Sequence, residues 1–196
     1  KELQSIIDLP LQIDTSDMAA MERAMRVYNG KPLINSVNGK KESMEAVFPL
    51  VKRYGGVVVA LTLDEEGIPD TAQGRVRIAK KIYDTAARYG IKAKDILIDG
   101  LCLTVSSDSK GALTTLETLR RVRDELRGKT ILGVSNISFG LPQREIVNGA
   151  FFTMALANGL NAAIINPNSQ VMMKAYYSFR ALADLDSQCG DDIQVY

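Results

Sequence analysis

The sequence predicts an α/β fold of the (β/α)8 TIM-barrel type, carried here by six βα units instead of eight. Three observations lead there. Six short apolar runs recur, each followed by a segment with helical spacing. None is followed by the G-x-G-x-x-G turn of a dinucleotide-binding sheet, and successive runs lie roughly 22 to 39 residues apart, as barrel units do. The chain has 196 residues, whereas a complete barrel takes about 250. Residues 1–196 are therefore expected to form one partial barrel domain, short of about two units.

The runs are LPLQID (9–14), PLINS (32–36), GVVVALT (56–62), ILID (96–99), TILGVS (130–135) and NAAIIN (161–166). Continuous apolar runs of this length, separated by helices, read as parallel strands covered on both faces. Residues 1–7 read as the tail of a helix. After the first strand, Ser16 or Asp17 is placed to cap the next helix. Met44, Val47, Val51 and Tyr54 share a helix face, but Pro49 lies inside it and should kink or break the helix. Val76, Ala79, Ile82, Ala86 and Tyr89 make the next face, with Asp70 or Thr71 as its cap. Leu113, Leu116, Leu119, Val122 and Leu126 follow, and Met172, Tyr176, Phe179 and Leu182 repeat the spacing. Gly55 and Gly90 stand where a left-handed residue closes a helix.

Composition narrows the chemistry. Lys and Arg total 24 against 23 Asp and Glu, so the chain lacks the charge imbalance of a nucleic-acid or membrane-surface binder. No apolar run approaches the ~20 residues of a membrane span, and the start does not read as a signal peptide. Two cysteines, Cys102 and Cys189, give no disulfide framework and fit a cytoplasmic protein. Histidine is absent, which excludes His-based acid–base catalysis, Ser-His triads and His-ligated metals within these residues. Two thiols are too few for a cysteine zinc site, and no metal is expected in this chain.

The strand ends carry the functional signal. Asp14, Asn35-Ser36, Asp99, Ser135-Asn136 and Asn166 close five of the six runs. In a barrel these ends converge on one face, where active sites sit. Two carboxylates and three amides there offer acceptors and donors suited to a flat heterocycle with amide and amino edges. Asp and Asn also end strands simply as turn formers and caps; convergence of five such ends favours a site. Other clusters read as solvated surface: Arg120, Arg121, Arg123 and Arg127 interleave with Glu117, Asp124 and Glu125. The acids of LDEEG (63–67) read as an exposed loop, and Cys102 as a packed thiol.

LPLQIDTSD, KPLINSVNG, VVALTLDEEGIP, ILIDGLCLTVSSD and ILGVSNISFGLP, in that order, resemble the pterin-binding barrel of cobalamin-dependent methionine synthase. Methyltetrahydrofolate:corrinoid methyltransferases have the same domain type. The likeness runs from Leu9 to about Asp186. It implies that the first two βα units are those missing, and that they contribute to the pterin pocket. Asp14, Asn35 and Asp99 match positions that hydrogen-bond the pterin ring. Asn136 matches the asparagine that reaches the methyl-bearing ring nitrogen, which makes it the candidate catalytic residue. Ser135 and Asn166 are further candidates.

The resemblance implies a substrate, methyltetrahydrofolate, and a corrinoid (cobalamin) held on another domain or partner protein. The zinc module that activates homocysteine and the histidine offered to cobalt are not in this sequence. The 196 residues alone are expected to be inactive, and to belong to an oligomer or a larger chain. Transfer in the reverse direction and a non-catalytic folate-binding or docking domain are the alternatives. Dihydropteroate synthases share the barrel, but their lysine and basic motif after strands seven and eight are replaced by SNISFG and INPNSQ.

Overall fold

In the computed structural model, which describes residues 2–191, six parallel strands form one sheet in chain order. They are β1 (Gln12–Asp14), β2 (Leu33–Asn38), β3 (Val57–Leu61), β4 (Ile96–Asp99), β5 (Lys129–Gly133) and β6 (Ala162–Ile164). The helices are α1 (Met18–Val27), α2 (Lys41–Tyr54), α3 (Ala72–Arg88), α4 (Gly111–Leu126), α5 (Arg144–Ala157) and α6 (Gln170–Leu182). A doubly wound sheet reverses its strand order partway; these strands never do. Right-handed crossovers in unbroken order put every helix on one side. The sheet curls into a half-barrel, with β1 and β6 at its open edges.

Side chains alternate along each strand, and the core follows that period. Ile34, Val58, Ala60, Ile96 and Ile98 pack against Val47, Phe48, Val76, Ala79 and Ile82 of the helices. A second cluster joins Leu132 and Val134 to Leu119, Phe151, Phe152 and Ala155. The intervening residues face the concave side. There Val59 and Ile131 are 1% and 2% exposed, while Asn35, Leu97 and Asp99 are only half-buried. The expectation of strands covered on both faces therefore holds on the helix side and only in part on the concave one. Six strands that curl without closing leave the inner face partly in water.

Most local expectations find a partner. Asp17 caps α1, its Oδ1 accepting from the Ala19 and Ala20 amides at 2.8 and 3.2 Å. Thr71 caps α3, accepting from Gly74 N at 3.1 Å. Gly55 and Gly90 adopt φ of 76° and 80°, where a Cβ is disfavoured. Four expectations are corrected. Helix α2 does not break at Pro49; that residue is exposed, so water can serve the carbonyl left without a partner. Residues 2–7 form only a 3₁₀ turn at Leu3–Ser5, too short to nucleate a helix; Lys1 lies outside the described residues. Leu113 and Leu182 sit on the helix faces that the spacing marks as apolar but are 64% and 86% exposed. Each stands at the end of its helix, beyond the layer that packs on the sheet.

Candidate active site at the strand ends

Asp14 and Asn35 are opposite each other in the β1–β2 register. Asn35 Nδ2 donates to Asp14 Oδ2 at 3.2 Å. The ladder slips between Asn35 and Val37, and such a bulge re-aims side chains at a sheet rim. Beside the pair lies a cleft of about 430 Å³, bordered by Asp14, Asn35, Ser36, Asn38, Lys40 and Ser43. Between Asn38 and Lys40, Gly39 packs against the next loop: a Cβ there would stand 2.6 Å from Ile78 and 2.8 Å from the Leu63 carbonyl. Only glycine lets these loops approach so closely.

Asp99 ends β4 on the same concave face, in register with Leu61 and Ile131. Its Oδ1 accepts from the Leu101 amide at 2.8 Å. Burial pushes the carboxyl up to about 6, opposed by that amide and by the charge of Arg75. Asp99 therefore changes charge closer to neutrality than an ordinary carboxylate. Asp99 and Asn136 do not border the cleft beside Asp14.

Strand β5 ends at Gly133 and passes into a 3₁₀ turn, Val134–Ser138, so Asn136 rides on the turn. Its amide is exposed and makes no hydrogen bond with another described residue. It lies back over Gly133, with Nδ2 3.2 Å from where a Cβ would be. The turn beneath it is tied down from two sides. Thr104 and Ser106, in the loop after β4, donate to the Phe139 carbonyl at 2.7 and 2.8 Å, and the Val105 amide donates to the Ile137 carbonyl at 3.0 Å. From α5, Arg144 donates to the Ser135 carbonyl at 2.9 Å and to Ser138 Oγ at 3.0 Å. Its guanidinium also stacks 4.5 Å from the centre of the Phe139 ring. The loops bearing Asp99 and Asn136 are thus coupled, as Asp14 and Asn35 are.

The remaining candidates also make local contacts. Ser135 is exposed and lends its carbonyl to Arg144. Asn166 uses Oδ1 to accept from the Asn168 amide at 3.0 Å, a turn role leading into α6. In the LDEEG loop, Glu65 binds the Lys41 amide at 2.7 Å and the Lys81 ammonium at 3.2 Å. Those contacts, the amide foremost, hold its carboxyl down at about 2. Cys102 is buried in the second core cluster, and burial pushes its thiol up to about 12. Among the described residues no acidic or sulfur cluster is arranged to hold a metal. Arg121 and Arg123 pair with Glu125 and Asp124 on the surface of α4. Arg75 and Arg144 escaped the sequence reading, since nothing in the periodicity marks an arginine that ties loops.

A curled parallel sheet with carboxylates and amides at its strand ends is a barrel-type architecture with its candidate site at the mouth. The sequence model of the pterin binding enzymes matches residues 1–166, and the chain belongs to that family. It is 29% identical over 192 residues to the methylcorrinoid:tetrahydrofolate methyltransferase of Eubacterium limosum, covering 95% of this chain and 70% of that one. It is 33% identical over 178 residues to the methionine synthase of Mycobacterium tuberculosis, covering 84% of this chain and 15% of that one. In shape it is similar to the 7,8-dihydropteroate synthase of Vibrio fischeri, at TM-score 0.73 and 17% identity, over 93% of this chain and 71% of that one. The Yersinia pestis dihydropteroate synthase gives TM-score 0.70 at 19% identity, over 93% and 76%. Likeness at those identities speaks for the barrel and not for the reaction.

Proposed function

We propose that the chain binds methyltetrahydrofolate at its concave mouth and passes the nitrogen-borne methyl group to a reduced corrinoid carried on another domain or protein. The observation that carries this reading is Asn136: an exposed, uncommitted amide on a turn held from both sides. Breaking the nitrogen–methyl bond leaves its electron pair on the ring nitrogen, which takes up a proton as tetrahydrofolate departs. A primary amide suits that change. Its oxygen accepts from a protonated nitrogen and its NH₂ donates to a bare one, so one side chain serves both states. The proton is supplied through water in the mouth. Asp14, Asn35 and Asp99 hold the other edge of the ring, the carboxylates accepting from ring and amino N–H groups. A reduced corrinoid supplies the nucleophilic cobalt; the chain has no histidine, so an imidazole ligand to cobalt comes from elsewhere.

The reverse transfer, from methylcorrinoid to tetrahydrofolate, is the second reading. It is favoured by the name of the Eubacterium limosum relative, which matches 95% of this chain. Both directions use the same residues. The test is stopped-flow mixing of the full-length protein and methyltetrahydrofolate with a reduced corrinoid protein. The reduced-corrinoid absorbance should decay as an equal amount of tetrahydrofolate forms. Saturable folate binding with no transfer in either direction would make this a binding module; absence of folate binding would end both readings.

A further inference from the structure

Arg75 is an odd residue for its place. It is 1% exposed and lies in the first turns of α3, where a helix repels cations. Among the described residues no carboxylate stands within ion-pairing distance of it. An arginine so buried is costly unless its N–H groups are satisfied. Here they are drawn to neutral oxygens. Nε donates to the Pro69 carbonyl at 3.0 Å, and one terminal nitrogen donates to the Gly100 and Leu101 carbonyls at 2.7 and 2.9 Å and to Thr115 Oγ1 at 3.3 Å.

Two of those oxygens belong to the turn just after Asp99. Leu101 sits at φ 56°, a left-handed conformation that is unfavourable for a residue with a Cβ. In that conformation its carbonyl meets Arg75 while its amide meets Asp99 Oδ1 at 2.8 Å. We propose that Arg75 is the positioning residue of the β4 mouth: by holding the Gly100 and Leu101 carbonyls in the helix layer, it keeps Leu101 left-handed and so fixes the aim of Asp99 towards the pterin.

The charges around the pair agree with that geometry. Burial raises the Asp99 carboxyl, while the Leu101 amide and the Arg75 charge oppose it. Burial lowers Arg75 in turn, opposed by Asp108 before α4, Asp70 before α3, Cys102 and Asp99. A lysine at position 75 would keep a cation but lose the planar fork that reaches several oxygens at once. Charge and turn geometry can therefore be separated.

The experiment is a carboxyl-carbon NMR titration of the full-length protein with labelled aspartate, Asp99 being assigned by its loss in Asp99→Asn. In Arg75→Lys the Asp99 midpoint should rise by about one pH unit, the effect of losing the Leu101 hydrogen bond. In Arg75→Lys/Leu101→Gly the left-handed turn costs nothing, so the midpoint should return to the wild-type value. An unmoved midpoint in the single variant overturns the proposal, and so does a moved midpoint that the glycine does not restore. If the single variant does not fold, the double variant decides: a wild-type midpoint supports the proposal, and any other midpoint, or failure to fold, overturns it. The step to pterin rests on the reading above. It is tested by the pH midpoint of tetrahydrofolate binding, which should follow that of Asp99. Wild-type protein that binds no tetrahydrofolate would refute the functional reading while leaving the NMR result intact.

Discussion

Asp99 and Asn136 call for opposite behaviour from two polar residues in one mouth. Asp99 has its carboxyl raised by burial from 3.8 to about 6, so the fold favours its protonated form. Its cost to stability is absent below pH 4, grows as the pH rises towards 6, and stays constant above. Asp99→Asn removes that cost and keeps an oxygen for the Leu101 amide. The variant should gain stability over wild type by about 1–3 kcal/mol at pH 7.5 and by less at pH 4.5, read from thermal melts at the two pH values. The same change should weaken pterin binding by about 1–3 kcal/mol, since ring donors lose their acceptor. Calorimetry showing unchanged folate affinity would remove Asp99 from the site. The Asn136 side chain is exposed and makes no hydrogen bond with another described residue, so Asn136→Ala should leave the melting temperature where it is. Methyl transfer should nevertheless fall by about 10²–10³-fold, as for other preorganised donors. Folate affinity should fall by less, because the amide acts mainly on the departing nitrogen. Equal losses in stopped-flow rate and equilibrium binding would make it a plain binding residue.

At the scale of elements, the site depends on where β5 stops. Period and apolarity marked residues 130–135 as a strand, yet the ladder ends at Gly133 and a 3₁₀ turn follows. Pattern alone places the strand, but the exit geometry depends on Thr104, Ser106 and Arg144, two of them about 30 residues distant in sequence. Tertiary hydrogen bonds of this kind leave no local signature. Gly133 tests the consequence. A methyl group there would stand 3.2 Å from the Asn136 amide nitrogen, close enough to push that exposed side chain aside by a few tenths of an ångström. Gly133→Ala should therefore keep its stability and lose about tenfold in methyl transfer, the effect of a displaced but intact donor. A wild-type single-turnover rate would mean that the amide does not work from its place above Gly133.

For the whole molecule, the order of units was legible because each strand–helix pair carries its own period, and Ile34, Phe48, Ile82 and Ile98 meet in one core as those periods predict. The inner face was not legible, since Leu97 and Leu61 read as core and yet line an open, half-wet concavity. No helix among the described residues is long and apolar enough to cross a membrane. What the curl leaves unpaired are its two edges. Beside β1 lies a groove of about 460 Å³ walled by Leu3, Leu11, Ile13, Val27 and Tyr28. Beside β6 lies another, of about 320 Å³, walled by Phe152, Leu156, Leu160, Ile165 and Tyr176. Neither edge carries the lysine, proline or bulge that blunts an open strand: β1 reads Gln-Ile-Asp and β6 Ala-Ala-Ile, with Ile164 41% exposed. Residues 1–196 taken alone should therefore associate through these edges. Velocity sedimentation at tens of micromolar should reveal species larger than 21.4 kDa, little changed by salt because the contact is apolar. Ile164→Lys places a charge on the exposed edge and should shift the distribution towards monomer without lowering the melting temperature. A monomeric wild-type chain under those conditions, or association that dissolves in salt, would show that the edges are not what the chain presents to a neighbour.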